Sequence, residues 1–177
     1  STFLQRGFDQ IIHDVCIMNL PVVFAMDRAG IVGNDGETHQ GAFDISFLRF
    51  IPNMILFAPG DNETLNLAIE FAYTLNSPCA IRYPRGAFAN LPYEAKEFTL
   101  GKSELLKKGN SNKLFIAYGS GVSKAIEVEK LHKEDIAILD LRFIKPIDKD
   151  ALIELSKEYD SWYIFSDSQK QGGVASA

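Results

Sequence analysis

Residues 53–83, NMILFAPGDNETLNLAIEFAYTLNSPCAIRY, decide the fold. Asn53 to Ala58 is a short apolar run with no polar alternation, the mark of a strand buried on both faces. Pro59-Gly60 turns the chain. Asp61 is a helix N-cap, and the spacing of Leu65, Ala68, Ile69 and Ala72 predicts a helix to Leu75 with those residues facing inward. Pro78 to Tyr83 is then a second buried strand. A strand, a helix and a strand of this length form a βαβ unit, which implies a parallel sheet covered on both faces.

The same rhythm extends both ways. Upstream, Leu4, Phe8, Ile11, Ile12, Val15 and Met18 share one helical face, so Thr2 to Met18 reads as a helix, with Thr2 and Gln5 as a capping box. Pro21 to Met26 is another buried strand, and Phe43 to Phe50 a short helix. Downstream, residues 86–101 are polar and lack an apolar period. The alternation then restarts with a strand at 113–118, a helix at 120–132 and a strand at 136–141. An Asp148-capped helix to Tyr159 and a strand at 161–166 follow. The sequence closes on Gln171 to Ala177, QGGVASA, which reads as a glycine turn opening a helix that does not continue. The expectation is an α/β protein with two parallel-sheet domains, residues 1–90 and 102–177, joined by a linker at 91–101, each domain incomplete at its chain end.

Composition narrows the function. The formal net charge is −5, which argues against a nucleic-acid binder. No apolar run is long enough to span a membrane, and no targeting segment is visible. Cys16 and Cys79 lie far apart on faces expected to be buried, and read as reduced core residues of a cytosolic-type protein. No His, Cys and carboxylate spacing resembles a metal site.

The chemistry concentrates in Asp27 to Asp44, DRAGIVGNDGETHQGAFD, which follows a strand and has no period of its own. Long irregular loops in compact domains are functional or disordered. Ile31, Val32, Ala42 and Phe43 anchor this one, so it reads as ordered. Arg28 follows one strand end, and Arg85, in Arg82-Tyr83-Pro84-Arg85-Gly86, follows another. Ligands of open parallel sheets bind at those ends. Two guanidiniums meeting there would grip a phosphate or carboxylate bidentately; the alternative is that each pairs with a nearby Asp. Gly30, Gly33, Gly36 and Gly41 favour the first reading, because they let backbone approach a ligand. His39 and Asp35 share the loop, as a proton shuttle and its orienter or as exposed loop residues. His13 and His132 lie on expected helices and read as surface or boundary residues. Gly119-Ser120-Gly121 lacks the third glycine of a dinucleotide fingerprint, where Lys124 stands, and reads as a tight turn. Arg142 to Pro146 reads as a domain corner, and Gly172-Gly173 as a tight turn or an anion cradle.

Five segments in order, STFLQR, DRAGIVGNDGETHQGAFD, IPNMILFAPGDNE, IRYPRG and DLRFIKPID, closely resemble the 1-deoxy-D-xylulose-5-phosphate synthase family, transketolase-like enzymes. The resemblance implies thiamine diphosphate with Mg2+ as cofactors. It implies pyruvate and D-glyceraldehyde 3-phosphate as substrates, condensed with loss of CO2, and a homodimer that is cytoplasmic in a bacterium or plastidic in a plant. It further implies that Phe3 stacks on the aminopyrimidine ring with Arg6 close by, that Arg28 and Arg85 hold the substrate phosphate, and that His39 and Asp35 bind the reacting carbonyl and hydroxyl groups. The family's activating glutamate and its diphosphate and Mg2+ motif match nothing in this chain, so the polypeptide alone is expected to be inactive. A transketolase, a 2-oxoacid dehydrogenase β-subunit and a non-catalytic dimerisation module stay open as alternatives.

Overall fold

The structure, a computed structural model, describes residues 1–177. The expected βαβ unit is present. Strand β2 (Ile55–Phe57) leads to α3 (Asn62–Thr74) and β3 (Cys79–Arg82). Asp61 accepts from the Thr64 amide at 2.8 Å while the Thr64 hydroxyl takes the Asp61 amide, a complete capping box. Ile69, expected to face inward, is exposed; Phe71 packs against the core instead.

The N-terminal helix is continuous only in outline. A 3-10 helix (Thr2–Gly7) passes into one turn of α1 (Phe8–Gln10) and then a π-helix (Ile11–Cys16). The buried residues of the π-helix, Ile11 and Cys16, are the pair that its wide turn brings to one side. The Thr2–Gln5 capping box does not form. Thr2 Oγ1 donates instead to the Gln40 carbonyl at 2.6 Å, and Met18 is exposed.

Two four-stranded sheets result. In the first, β1 (Val23–Met26), β3 and β2 run parallel, and β7 (Phe143–Lys145) closes the order β1-β3-β2-β7 antiparallel to β2. In the second, β6 (Ala137–Asp140), β5 (Lys113–Ala117) and β8 (Ser161–Phe165) run parallel, and β4 (Glu104–Lys107) adds an antiparallel edge, giving β4-β6-β5-β8. The sheets are thus mixed, mostly parallel rather than purely so. The segment read as a corner, Arg142 to Pro146, carries β7, through which the chain passes from the second sheet into the first.

Alternate strand residues divide the core. Phe57 and Ile81 face α3, whereas Leu56 and Ala80 join Leu114, Ile116 and Leu139 of the second sheet in one shared core. Short helix α2 (Asp44–Leu48) adds Ile45 and Leu48 to that core. Helix α4 (Gly121–Leu131) covers the far face of the second sheet through Val122, Ala125 and Ile126, and α5 (Lys149–Leu155) packs Leu152 and Leu155 against the shared core. Cys16 and Cys79 are free and buried, and burial pushes the Cys79 thiol up to about 11.

The residues read as a linker have no helix or strand but are firmly held. Phe98 is buried in the aromatic cluster under α3. Arg142 donates to the Glu97 and Lys96 carbonyls at 3.0 and 3.1 Å and pairs with Glu104. Next to it, Asp140 ends β6 fully buried. Burial pushes its carboxyl up to about 7, with Glu104 and Asp61 adding repulsion, against the Arg142 amide and charge that favour ionisation. In the unfolded chain this group titrates near 4. The folded state therefore holds the extra proton, and this part of the stability is lost as pH rises from about 4 through about 7. Asp140→Asn keeps an acceptor for the Arg142 amide and does not titrate. Its melting temperature is expected to fall less than that of the wild type between pH 5 and pH 8, by several degrees; parallel curves would refute the assignment.

Candidate functional site

Parallel pairing brings the site together. Met26, the last residue of β1, is in register with Arg82, the last residue of β3, so the chain leaves both strands over one rim. The Ala29 amide donates to the Tyr83 carbonyl at 3.0 Å and extends the pairing past the strand ends. Arg28 sits between them at φ +56°, a left-handed conformation that is unfavourable for a residue with a Cβ. Neighbouring bonds hold it: the Ser1 nitrogen donates to the Asp27 carbonyl at 2.7 Å, and Ser1 Oγ to the Arg28 carbonyl at 3.1 Å. Strain of this kind gathers at functional sites.

Arg28 and Arg85 meet at one carboxylate. Arg28 Nε lies 2.7 Å from Asp35 Oδ2, and Arg85 Nε 3.1 Å from Asp35 Oδ1. Arg28 also pairs with Asp27. The Arg28 hydrogen bond, with Arg85 and His39 nearby, holds the Asp35 carboxyl below its ordinary range. The two sequence readings thus coincide: the guanidiniums converge, and an Asp pairs with both.

The loop that carries Asp35 and His39 has a defined neck. Gly30 and Gly41 exchange backbone hydrogen bonds of 2.9 and 2.8 Å, closing residues 31–40 above the rim. Gly41 admits no side chain, since a Cβ there would stand 2.0 Å from the Arg28 carbonyl oxygen. Inside the loop, Gln40 accepts from the Val32 amide at 2.6 Å and donates to the Gly36 carbonyl at 2.7 Å. His39 Nδ1 lies 2.9 Å from Thr38 Oγ1.

The His39 ring stands edge-on to Phe3, with centroids 4.9 Å apart, and the Arg6 guanidinium lies 5.5 Å from the Phe3 centroid. Phe3 is 54% exposed. It opens into a cavity of about 280 Å³ whose lining includes Asp27, Arg28 and His39. An exposed aromatic face flanked by polar groups suits a flat heteroaromatic ring, so these residues fit the pyrimidine end of thiamine diphosphate. No group of three or more His, Cys, Asp or Glu is placed to hold a metal ion. A second cavity, of about 310 Å³, lies between the halves of the chain, with Arg85 and Asp167 in its lining beside Ser120 and Lys124 of the α4 end.

Five of the six candidate residues thus gather around one rim, Phe3, Arg28, Asp35, His39 and Arg85, and Arg6 joins them only through the Phe3 ring. The other motifs serve different ends. Gly119 turns at φ +54°, and Gly121 packs so closely on β8 that a Cβ would meet the Phe165 carbonyl oxygen at 2.7 Å, as a tight turn requires. Gly172 and Gly173 present carbonyl oxygens to Arg49, so this turn is a cation acceptor and not an anion cradle. His13 pairs with Asp9 on the surface. Sequence reasoning missed Arg82, Asp44 and Asp167, which lie beneath the site. The available signal was an arginine closing an otherwise apolar strand, where burial demands charged partners.

Comparison with known proteins places the chain in a family. The family model for the transketolase pyrimidine-binding domain matches residues 1–90, and that for the transketolase C-terminal domain matches residues 101–177. The chain is 76% identical over 177 residues to a 1-deoxy-D-xylulose-5-phosphate synthase of Aliarcobacter butzleri, covering 100% of this chain and 30% of that protein. It is 60% identical over 179 residues to the synthase of Sulfurimonas denitrificans, covering 100% of this chain and 29% of the relative. The chain therefore spans less than a third of the length of these curated relatives. Among solved structures, a split-gene transketolase, described as an inactive beta4 tetramer, superposes with a TM-score of 0.89 at 26% identity, covering 99% of this chain and 58% of that one. The chain belongs to the transketolase family and is homologous to its 1-deoxy-D-xylulose-5-phosphate synthases.

Proposed function

We propose that the protein containing this chain condenses pyruvate with D-glyceraldehyde 3-phosphate, releasing CO2 and forming 1-deoxy-D-xylulose 5-phosphate, with thiamine diphosphate and Mg2+ as cofactors. Residues 1–90 form its pyrimidine-binding domain, 91–101 the connection and 102–177 part of its C-terminal domain. The observation that carries the reading is the convergence of Arg28 and Arg85 on Asp35 over one sheet rim.

Each residue then has a task. Phe3 offers its face to the cofactor's pyrimidine, with Arg6 beside it. When bound, thiamine diphosphate supplies the carbon nucleophile and the electron sink for decarboxylation. Arg28 and Arg85 hold the phosphate of the aldehyde substrate through charge-assisted hydrogen bonds. Asp35 yields the guanidiniums to that phosphate and turns to a substrate hydroxyl. His39, one residue from the Thr38 hydroxyl that orients it, donates to the aldehyde oxygen as the new carbon–carbon bond forms. Phe3 and His39 share one cavity wall, which brings the cofactor and aldehyde ends of the site together.

The enzyme is proposed to be a homodimer, cytoplasmic in a bacterium and plastidic in a plant; its curated relatives named above are bacterial. The test is direct. The full-length protein, supplied with both cofactors and both substrates, is expected to release CO2 and form the pentulose phosphate in equal amounts. Product from pyruvate and an unphosphorylated acceptor alone, or none at all, would overturn the proposal.

A further inference from the structure

Arg82 closes β3 and is 1% exposed. A guanidinium so buried has to satisfy its donors within the protein, and its partners come from three separate places. Nε donates to Asp44 Oδ2 at 3.1 Å and Nη2 to Asp44 Oδ1 at 3.3 Å, at the start of α2. Nη2 also reaches the Gly41 carbonyl at 3.4 Å, in the neck of the site loop. Nη1 donates to Asp167 Oδ1 at 2.7 Å, just beyond β8 in the second sheet.

The Asp167 side chain also packs on the same neck. A Cβ built on Gly30 would lie 2.8 Å from Asp167 Oδ2, so the carboxylate rests directly against that glycine. Gly30 and Gly41 are the two residues whose mutual hydrogen bonds close the loop. Arg82 thus touches one side of the neck and Asp167 the other, and the two are joined by an ion pair. The carboxylate comes from the second half of the chain, whereas the loop, Arg28 and Arg85 come from the first.

We propose that Arg82 and Asp167 are positioning residues: a buried clamp between the two halves that fixes the Gly30–Gly41 neck and so sets the placement of Asp35 and His39 against Arg28 and Arg85. The second half of the chain thereby takes part in placing a loop that belongs to the first. The structural part stands on contacts alone, and the kinetic part rests on the proposed function.

The test uses two variants of the full-length protein: Asp167→Ala, which removes the ion pair with Arg82 and the carboxylate packed on Gly30 but leaves the Cβ against that glycine, and Asp167→Asn, which keeps the shape and loses the charge. Amide hydrogen exchange at Gly30, Gly41 and His39 is expected to quicken about tenfold in Asp167→Ala and about threefold in Asp167→Asn, with the α4 amides unchanged. Unchanged exchange at the neck, or an equal rise in α4, would overturn the clamp. Should Asp167→Ala not fold, Asp167→Asn decides by the same criterion. In the full-length protein, Asp167→Ala is expected to raise the KM for the phosphorylated aldehyde about tenfold and to lower kcat as well, because His39 moves with the neck. Quicker exchange at the neck with an unaltered KM would leave the clamp standing and count against the substrate assigned to the loop.

Discussion

Arg85→Ala in the full-length protein is expected to raise the KM for D-glyceraldehyde 3-phosphate by about 10–100-fold, and to leave the KM for unphosphorylated D-glyceraldehyde within about threefold. A hydrogen bond to a charged partner contributes about 1.5–3 kcal/mol, and about 1.4 kcal/mol is a factor of ten at room temperature. Arg85 sits at the rim, half-exposed, with Asp35 as its one ion-pair partner. Its removal therefore leaves the fold intact and subtracts mainly from phosphate binding. Arg28→Ala should act in the same direction, with an added effect on the loop, because Arg28 also pairs with Asp27 and holds a left-handed backbone. The double variant should cost less than the two single losses combined, since both guanidiniums act on one group. Arg85→Lys should recover only part of the affinity, because an ammonium cannot present two parallel donors. An equal loss for both aldehydes would mean that Arg85 shapes the pocket and does not read the phosphate. No change for either would remove the sugar-phosphate site.

That convergence is legible in the sequence, for a topological reason. Arg28 and Arg85 each follow the carboxyl end of a strand, and β1 and β3 are neighbours in one parallel sheet, so two residues distant in sequence had to share a rim. The βαβ unit was legible because Asp61 and the apolar runs agree at every level. What escaped notice depends on partners rather than on pattern. Glu104 to Lys107 and Phe143 to Lys145 are too short and too mixed to declare themselves as strands. They form because an edge of each sheet was open to an antiparallel neighbour. Thr2 looked like a capping residue, but the Gln40 carbonyl, remote in sequence, took its hydroxyl. Arg82 was read only as part of a motif, since Asp44 and Asp167 are distant from it along the chain and close to it only in the fold.

The larger stability effect belongs to Phe143→Ala. Phe143 is fully buried in β7, the strand that crosses from the second half of the chain into the first sheet. Its ring lies 5.3 Å from Phe57, 5.8 Å from Phe71 and 5.7 Å from Phe98, so one side chain ties the crossing strand to β2, to α3 and to the linker. Truncating a buried Phe to Ala costs about 3–5 kcal/mol through lost burial and the cavity left behind. Domains are stable by only about 5–15 kcal/mol. For a chain of this size, about 1 kcal/mol moves the melting temperature by about 2–4 °C, so a fall of about 6–20 °C is expected. The two sheets share one apolar core, so thermal unfolding should remain a single transition that moves down as a whole. Phe143→Leu keeps most of the apolar volume and should lose much less. A shift under about 3 °C in Phe143→Ala would show that β7 is a loosely attached edge. A split into two transitions would show that the halves melt independently, and that the crossing strand does not couple them.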